Sequence, residues 1–276
     1  MKSVVADSKY KVHCVRIVPL WGPSVYLTDH VRDLVIGANT YKTDSGYQFT
    51  GLATESNMSP GVLDLSGIAG LAGIDYDTIA SGVFDNARVY VFATTWRTPT
   101  VDEEPLGLAF LGKTTLQDDR YTAEMMMSVD ALNQSTGHTY TPSCQKKFGG
   151  QEFAGCKVDL VPITVTGTIT SVTSTSVFRD STRAEVADYF GEGTIAFTSG
   201  ANAGLKPLEV KSHAADGTLT LHAPCHYPVA IGDAYTLIPG CRKRLEDCRD
   251  KWNNIVNGGM FSFVPTQSTY SKVGGT

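Results

Sequence analysis

The sequence predicts a mainly β protein. An N-terminal β-barrel or β-sandwich domain is followed by a β-rich C-terminal domain with a short helical lobe. Three observations carry this. Short runs of β-branched and aromatic residues recur between Gly, Asp, Asn and Pro, which is the rhythm of strands and turns. Helical periodicity is scarce. Composition changes near 136–141, where a strand-rich segment with few cysteines gives way to Cys144-Gln-Lys-Lys-Phe-Gly-Gly-Gln-Glu-Phe-Ala-Gly-Cys156.

Taken in order, strands are predicted at 10–18, 24–28, 39–41, 88–95, 108–116, 121–127 and 163–170. Others follow at 193–198, 207–212, 218–222 and 234–238. Asp216-Gly217 is a two-residue hairpin signal, because both turn positions need positive φ. Three helices are expected, at 75–84, 128–134 and 242–252. The first is amphipathic and the second opens at a Ser cap. The third, Arg-Lys-Arg-Leu-Glu-Asp-Cys-Arg-Asp-Lys-Trp, is rich in helix formers, with acids among bases, and Gly240 fits a tight entry turn. The Thr/Ser/Val stretch 164–176 reads either as a linker or as an exposed strand pair. The expected division is 1–138, then 139–265 with the lobe formed from 139–160 and 239–265, then a loose tail at 266–276.

Of 276 residues 42% are hydrophobic and 18% charged, a globular balance with room for one large domain or two. The net charge of -5 argues against broad nucleic-acid binding. No apolar run approaches the roughly 20 residues of a membrane helix. The start Met-Lys-Ser-Val-Val-Ala-Asp is too short and acidic for a signal peptide, so folding in a cytoplasm is expected. There, six cysteines call for burial, metal binding or catalysis rather than structural disulfides.

Eleven residues separate Cys144 from Cys156, and six separate Cys241 from Cys248. Neither spacing is a zinc knuckle. If Cys241 and Cys248 both lay on the third helix, they would share a face about 10 Å apart along the axis. That is too far for a disulfide and strained for a single tetrahedral zinc, and a cubane cluster tolerates it better. The argument weakens if Cys241 lies in the preceding turn. Lys146, Lys147, Lys157, Arg242, Lys243, Arg244 and Arg249 surround the four in sequence, and nearby bases lower thiolate pKa values. Gly149, Gly150, Gly155 and Gly240 would let backbone amides approach sulfur. Spacing alone leaves three readings open: reduced buried thiols, a zinc site or an iron–sulfur cluster.

Gly232-Asp233, Gly240-Cys241, Cys248, Asn253-Asn254, Phe261, Phe263 and Pro265 follow one pattern: a Gly-Asp strand, Gly-Cys, a basic helix with a second Cys, Asn, and a Phe-Pro end. Upstream, 190–204 holds a Gly-rich strand pair and the turn Ser199-Gly-Ala-Asn-Ala-Gly204. On these residues the chain resembles the phage tail-tip hub family. That family includes gene transfer agent hubs and proteins like the phage lambda tail-tip protein L. The resemblance is strong over 140–265, and Asn257-Gly-Gly-Met260 departs from the usual ending. It implies an N-terminal hub domain and a [4Fe–4S] cluster on Cys144, Cys156, Cys241 and Cys248. It further implies a non-enzymatic structural protein of the virion tail tip, assembled in a bacterial host cytoplasm as a homotrimeric ring. The implied neighbours are a distal tail protein ring, a central fibre or tip protein and the tape measure protein. DNA would pass only transiently through the channel. A zinc-stabilised binding module and a small cysteine-dependent enzyme are the alternatives.

Other residues read as structural. Cys14 and Cys225 lie in or beside apolar strands, as small core residues do. His222 and His226 beside Cys225 lack a partner set for a metal. Trp21, Trp96 and Trp252 read as core or subunit-contact residues. Ser199–Gly204 lacks P-loop spacing and its Lys, so a turn is expected. Asp102-Glu103-Glu104 and Asp118-Asp119 read as solvated loops.

Overall fold

The computed structural model describes residues 9–43, 48–49, 63–68, 74–117, 120–127 and 140–264. It divides into two compact units, Met1–Ser135 and Thr136–Thr276. The expected helix at 128–134, Asp118-Asp119 and the tail lie outside the described residues.

The first unit contains β1 (Lys11–Val18), β2 (Val25–Thr28), β3 (Leu34–Ile36), β4 (Asn39–Tyr41), β5 (Gln48–Phe49) and β6 (Leu63–Ile68). Helix α1 (Tyr76–Ala80) precedes β7 (Arg88–Thr95), β8 (Glu104–Gln117) and β9 (Arg120–Met127). Seven strands form one antiparallel sheet in the order β2-β1-β7-β8-β9-β6-β5, and β3 pairs with β4 separately. The register shifts between Val91 and Phe92 and again between Leu111 and Thr114. Such bulges bend a strand and increase its twist, which curls the sheet into a half-barrel. The first bulge also breaks the alternation of β7, so that Val91, Phe92, Ala93 and Thr94 are buried in succession. Val12, Cys14, Leu34, Ile36, Tyr41 and Phe92 form one core cluster. Helix α1 is shorter than the predicted span. Asp75 and Thr78 close a capping box, but Gly82 turns left-handed at φ 73° and ends it.

The second unit contains β10 (Val165–Thr168), β11 (Ser171–Ser174), β12 (Val177–Arg179), β13 (Thr194–Phe197), β14 (Leu208–His213), β15 (Thr218–Leu221) and β16 (Ala234–Ile238). Their order is β10-β16-β13-β14-β15-β12-β11. The stretch 164–176 is stranded and not a linker, yet β10 and β11 do not pair with each other. The first pairs with β16 and the second with β12. In the β14–β15 hairpin only Gly217 of the expected turn pair is left-handed, at φ 85°. Gly217 N donates to Ala214 O, and Ala214 N donates to Thr218 O, so the loop is longer than a two-residue turn. Phe178, Phe190, Ile195, Val210, Leu219, Tyr235 and Leu237 form the core. A buried carboxylate, Asp180, accepts from Tyr235 OH at 2.6 Å and from Thr182 Oγ1 at 2.6 Å.

Two segments outside this sheet, 140–164 and 239–264, form the lobe. The expected eleven-residue helix at 242–252 is absent as such. Regular helix is confined to 245–251, most of it a π-helical turn, Asp247–Lys251. The Asp247 carboxylate accepts from Arg242 N at 2.8 Å and holds residues 241–246 in a cap-like loop.

Candidate metal centre

The sheet delivers one pair of cysteines and a stitched loop delivers the other. Strand β16 ends at Ile238, and Cys241 leaves it through Gly240. A Cβ at Gly240 would run into the backbone of Glu192 and Gly193. Close packing against Glu192 and Gly193 therefore requires a glycine here. Arg242 pairs with Asp188 and fixes the exit direction. Cys248 follows on the π-helical turn, where its N–H donates to Arg244 O at 3.2 Å and its side chain is buried.

The earlier segment is sewn to this one by backbone and lysine hydrogen bonds. Cys144 N donates to Lys243 O at 2.8 Å, and Phe261 N donates to Thr141 O at 2.9 Å. Lys243 Nζ donates to Lys146 O at 2.5 Å, and Lys146 Nζ to Asn257 O at 2.7 Å. Asn254 closes the loop. Its Nδ2 donates to Cys156 O at 2.5 Å and lies 3.6 Å from Cys156 Sγ. Its carbonyl accepts from the Cys248 thiol at 3.2 Å.

Cys144, Cys156, Cys241 and Cys248 consequently line one pocket, together with Lys146, Lys243, Phe148, Trp252, Asn254 and Met260. Two sequence-distant pairs have been brought to a common space. The thiols do not close on a point: among the described residues no group of three or more His, Cys, Asp or Glu side chains is arranged to hold one metal ion. The bases do less than their number in the sequence promised. Burial pushes the Cys241 thiol up, and Lys243 only partly offsets it. Burial also raises Cys248, and Cys156, Cys241 and Cys144 each raise it further while Lys146 opposes them. Arg242 and Arg249 are engaged elsewhere, the latter with Asp250 at 2.7 Å.

Cys241 lies in the turn before the helix, so the separation argument against a single zinc ion loses its premise. Two residues that line the pocket, Trp252 and Met260, and Lys251 beside Trp252 were not singled out as such by sequence. Trp252 packs on Phe148 with ring centroids 4.9 Å apart, and its buried Nε1 has no hydrogen-bond partner. Lys251 lies over the Trp252 ring at 5.0 Å, with its Nζ donating to Tyr189 O and Gly240 O. Met260, from the departure Asn257-Gly-Gly-Met260, lines the pocket with Gly258, so the unusual ending is part of the site.

The remaining candidates take structural places. Cys14 and Cys225 are core thiols, each pushed up to about 11 by burial. Asn202 of the Ser199–Gly204 turn is buried and exchanges hydrogen bonds of 3.0 Å with both backbone groups of Tyr227. The acids at 102–104 are not free loops: Asp102 pairs with Arg16, Glu104 with Lys11, and Glu103 accepts from Thr94.

The fold and this pocket can be set beside known proteins. The family model described as "Baseplate hub protein, N-terminal attachment domain" matches residues 5–159. The chain belongs to this baseplate hub family. A second family model, described as "Phage conserved hypothetical protein BR0599", matches residues 188–268, the stretch that carries Cys241 and Cys248. The baseplate hub match includes Cys144 and Cys156. A solved structure titled "Virion of native gene transfer agent (GTA) particle" contains a chain of similar fold, with a TM-score of 0.84 at 22% identity, covering 95% of this chain and 91% of that one. Among curated proteins none matches.

Proposed function

We propose that this chain is a structural hub of a phage or phage-like tail tip, and that its four lobe cysteines carry a [4Fe–4S] cluster. Membership of the baseplate hub family is the observation that carries the first part. The likeness in fold to a chain of a gene transfer agent virion accords with it. On this reading the chain acts by assembly and not by catalysis. Copies form a closed ring, taken as a homotrimer, against a distal tail protein ring, a central fibre or tip protein and the tape measure, around a channel that DNA crosses. Ring closure requires heterologous contacts. Exposed apolar side chains such as Phe153, Val256 and Phe263 are suitable material for them.

The donor set supports the second part. Four thiols from two distant segments share one pocket, as Cys₄ ligation of a cluster requires. The orphaned Trp252 Nε1 at this pocket is a donor in want of an acceptor, and cluster sulfides are acceptors. When bound, the cluster supplies covalent cross-linking between segments. The chain's own residues already hold these segments near one another through Lys146, Lys243 and Asn254.

Anaerobic purification tests the cluster. A brown protein with about four irons per chain, and matching sulfide, is expected. A colourless protein with stoichiometric zinc would overturn this part while leaving the hub assignment intact. Mass spectrometry of purified particles tests the hub: absence of the chain from virions would overturn it.

A further inference from the structure

We infer that Asn254 is a positioning residue that donates a side-chain hydrogen bond to the Cys156 sulfur and thereby tunes the bound group, an inference that rests on the cluster reading above. The geometry accounts for every polar atom of its amide. The Cys156 carbonyl can only accept, which makes the end of the amide facing it the nitrogen, and Oδ1 then accepts from Asn257 Nδ2 at 2.8 Å. Nδ2 lies 2.5 Å from Cys156 O and 3.6 Å from Cys156 Sγ. An asparagine NH₂ has two donors, and both acceptors within its reach belong to the same cysteine. The backbone of Asn254 is held as well, its N–H donating to Cys248 O at 2.8 Å. Asn254 therefore reaches a ligand 98 positions earlier, while the loop that carries it is anchored on a second ligand.

The sulfur of Cys156 changes charge when it binds iron, and an N–H aimed at it favours the more negative state. Hydrogen bonds to ligand sulfur are among the levers that set cluster potentials, and outer-shell partners change metal affinity by about 10–100-fold. The contact of the Cys248 thiol with Asn254 O has the opposite character. It requires the S–H proton, so ligation of Cys248 releases that carbonyl and leaves the side-chain contact to Cys156 as the link between this loop and the cluster.

The test uses the full chain, reconstituted anaerobically with ferrous iron and sulfide, as wild type, Asn254→Ala, Asn254→Asp and Asn257→Ala. Redox titration followed by electron paramagnetic resonance reads the potential. Chelator-driven bleaching reads the rate of cluster loss. Asn254→Ala is expected to lower the potential and to bleach about tenfold faster. Asn254→Asp, which replaces the donor with a negative charge, is expected to lower the potential further. Asn257→Ala, which loosens the amide without removing it, should fall between wild type and Asn254→Ala. Unchanged potential and bleaching rate in Asn254→Ala would overturn the inference. If that variant does not fold, nitrogen hyperfine coupling in wild type labelled with ¹⁵N-asparagine decides it: coupling to the reduced cluster is expected, and its absence overturns the claim. A wild type that takes up no cluster overturns the parent reading and this one together. A wild type with a cluster that is insensitive to Asn254 overturns this one alone.

Discussion

Asp180 is a fully buried carboxylate in the second unit. Burial alone would raise its carboxyl, but hydrogen bonds from Thr182 and Tyr235, with Arg183 nearby, hold it below the usual range. A carboxylate depressed in the folded state stabilises the fold above its unfolded pKa, and that contribution is lost as pH falls through the folded value. His213 acts earlier in an acid titration. Burial pushes its imidazole below the ordinary range, against the raising influence of Glu185. The unfolded chain therefore binds a proton near pH 6.5 that the folded chain refuses. Stability should fall in two stages on acidification: first below about pH 6.5 from His213, then below about pH 4 from Asp180. His213→Phe should remove the first stage, as read by thermal melting across pH. Tyr235→Phe should destabilise at neutral pH by about 1.5–3 kcal/mol, the worth of a hydrogen bond to a charged group, as measured by denaturant titration. Neither residue announced itself in the sequence. A burial partner 55 positions away is a property of the sheet and not of any local pattern.

At the level of elements, strand positions were legible because period and turn chemistry act locally. The span 88–95 was readable to its ends, and β16 likewise. What failed did so for identifiable reasons. The third helix has the right residues, but Asp247 caps Arg242 N and Cys248 sits on a π-helical turn, so the chain opens around the pocket instead of coiling past it. Helix propensity is a few tenths of a kcal/mol per residue, which tertiary contacts override. The hairpin at Asp216-Gly217 was placed correctly but typed wrongly, since tertiary packing fixes the loop. Gly217 is left-handed, and a Cβ there would strike the carbonyl of Asp180. Gly217→Ala should therefore cost more than the roughly 1–2 kcal/mol of the backbone conformation alone, and the loss should show as a lower denaturant midpoint. The four cysteines were visible as residues, and only their meeting in one pocket required the fold.

For the whole molecule, the division into two units sets what the proposed cluster can stabilise. All four cysteines belong to Thr136–Thr276, and Cys156 and Cys241 are 85 positions apart. Cross-linking a loop of that length removes about 4–5 kcal/mol of unfolded-chain freedom, by analogy with a disulfide. For a unit of this size about 3 °C accompanies each kcal/mol, so a loss of about 12–15 °C is expected when the cluster is stripped. The loss belongs to one unit only. The sheet β2-β1-β7-β8-β9-β6-β5 has its own core around Tyr41 and Phe92 and contains none of the four ligands. Scanning calorimetry of the full chain, before and after anaerobic chelation, should show one transition moving down and one staying in place. Cys248→Ser should reproduce the chelated trace, because the pocket then lacks its fourth thiolate. If both transitions moved together, the staple would be holding the two units as one. If neither moved, the lobe would be held by its lysine and asparagine hydrogen bonds alone. The cluster would then have to be explained by something other than folding.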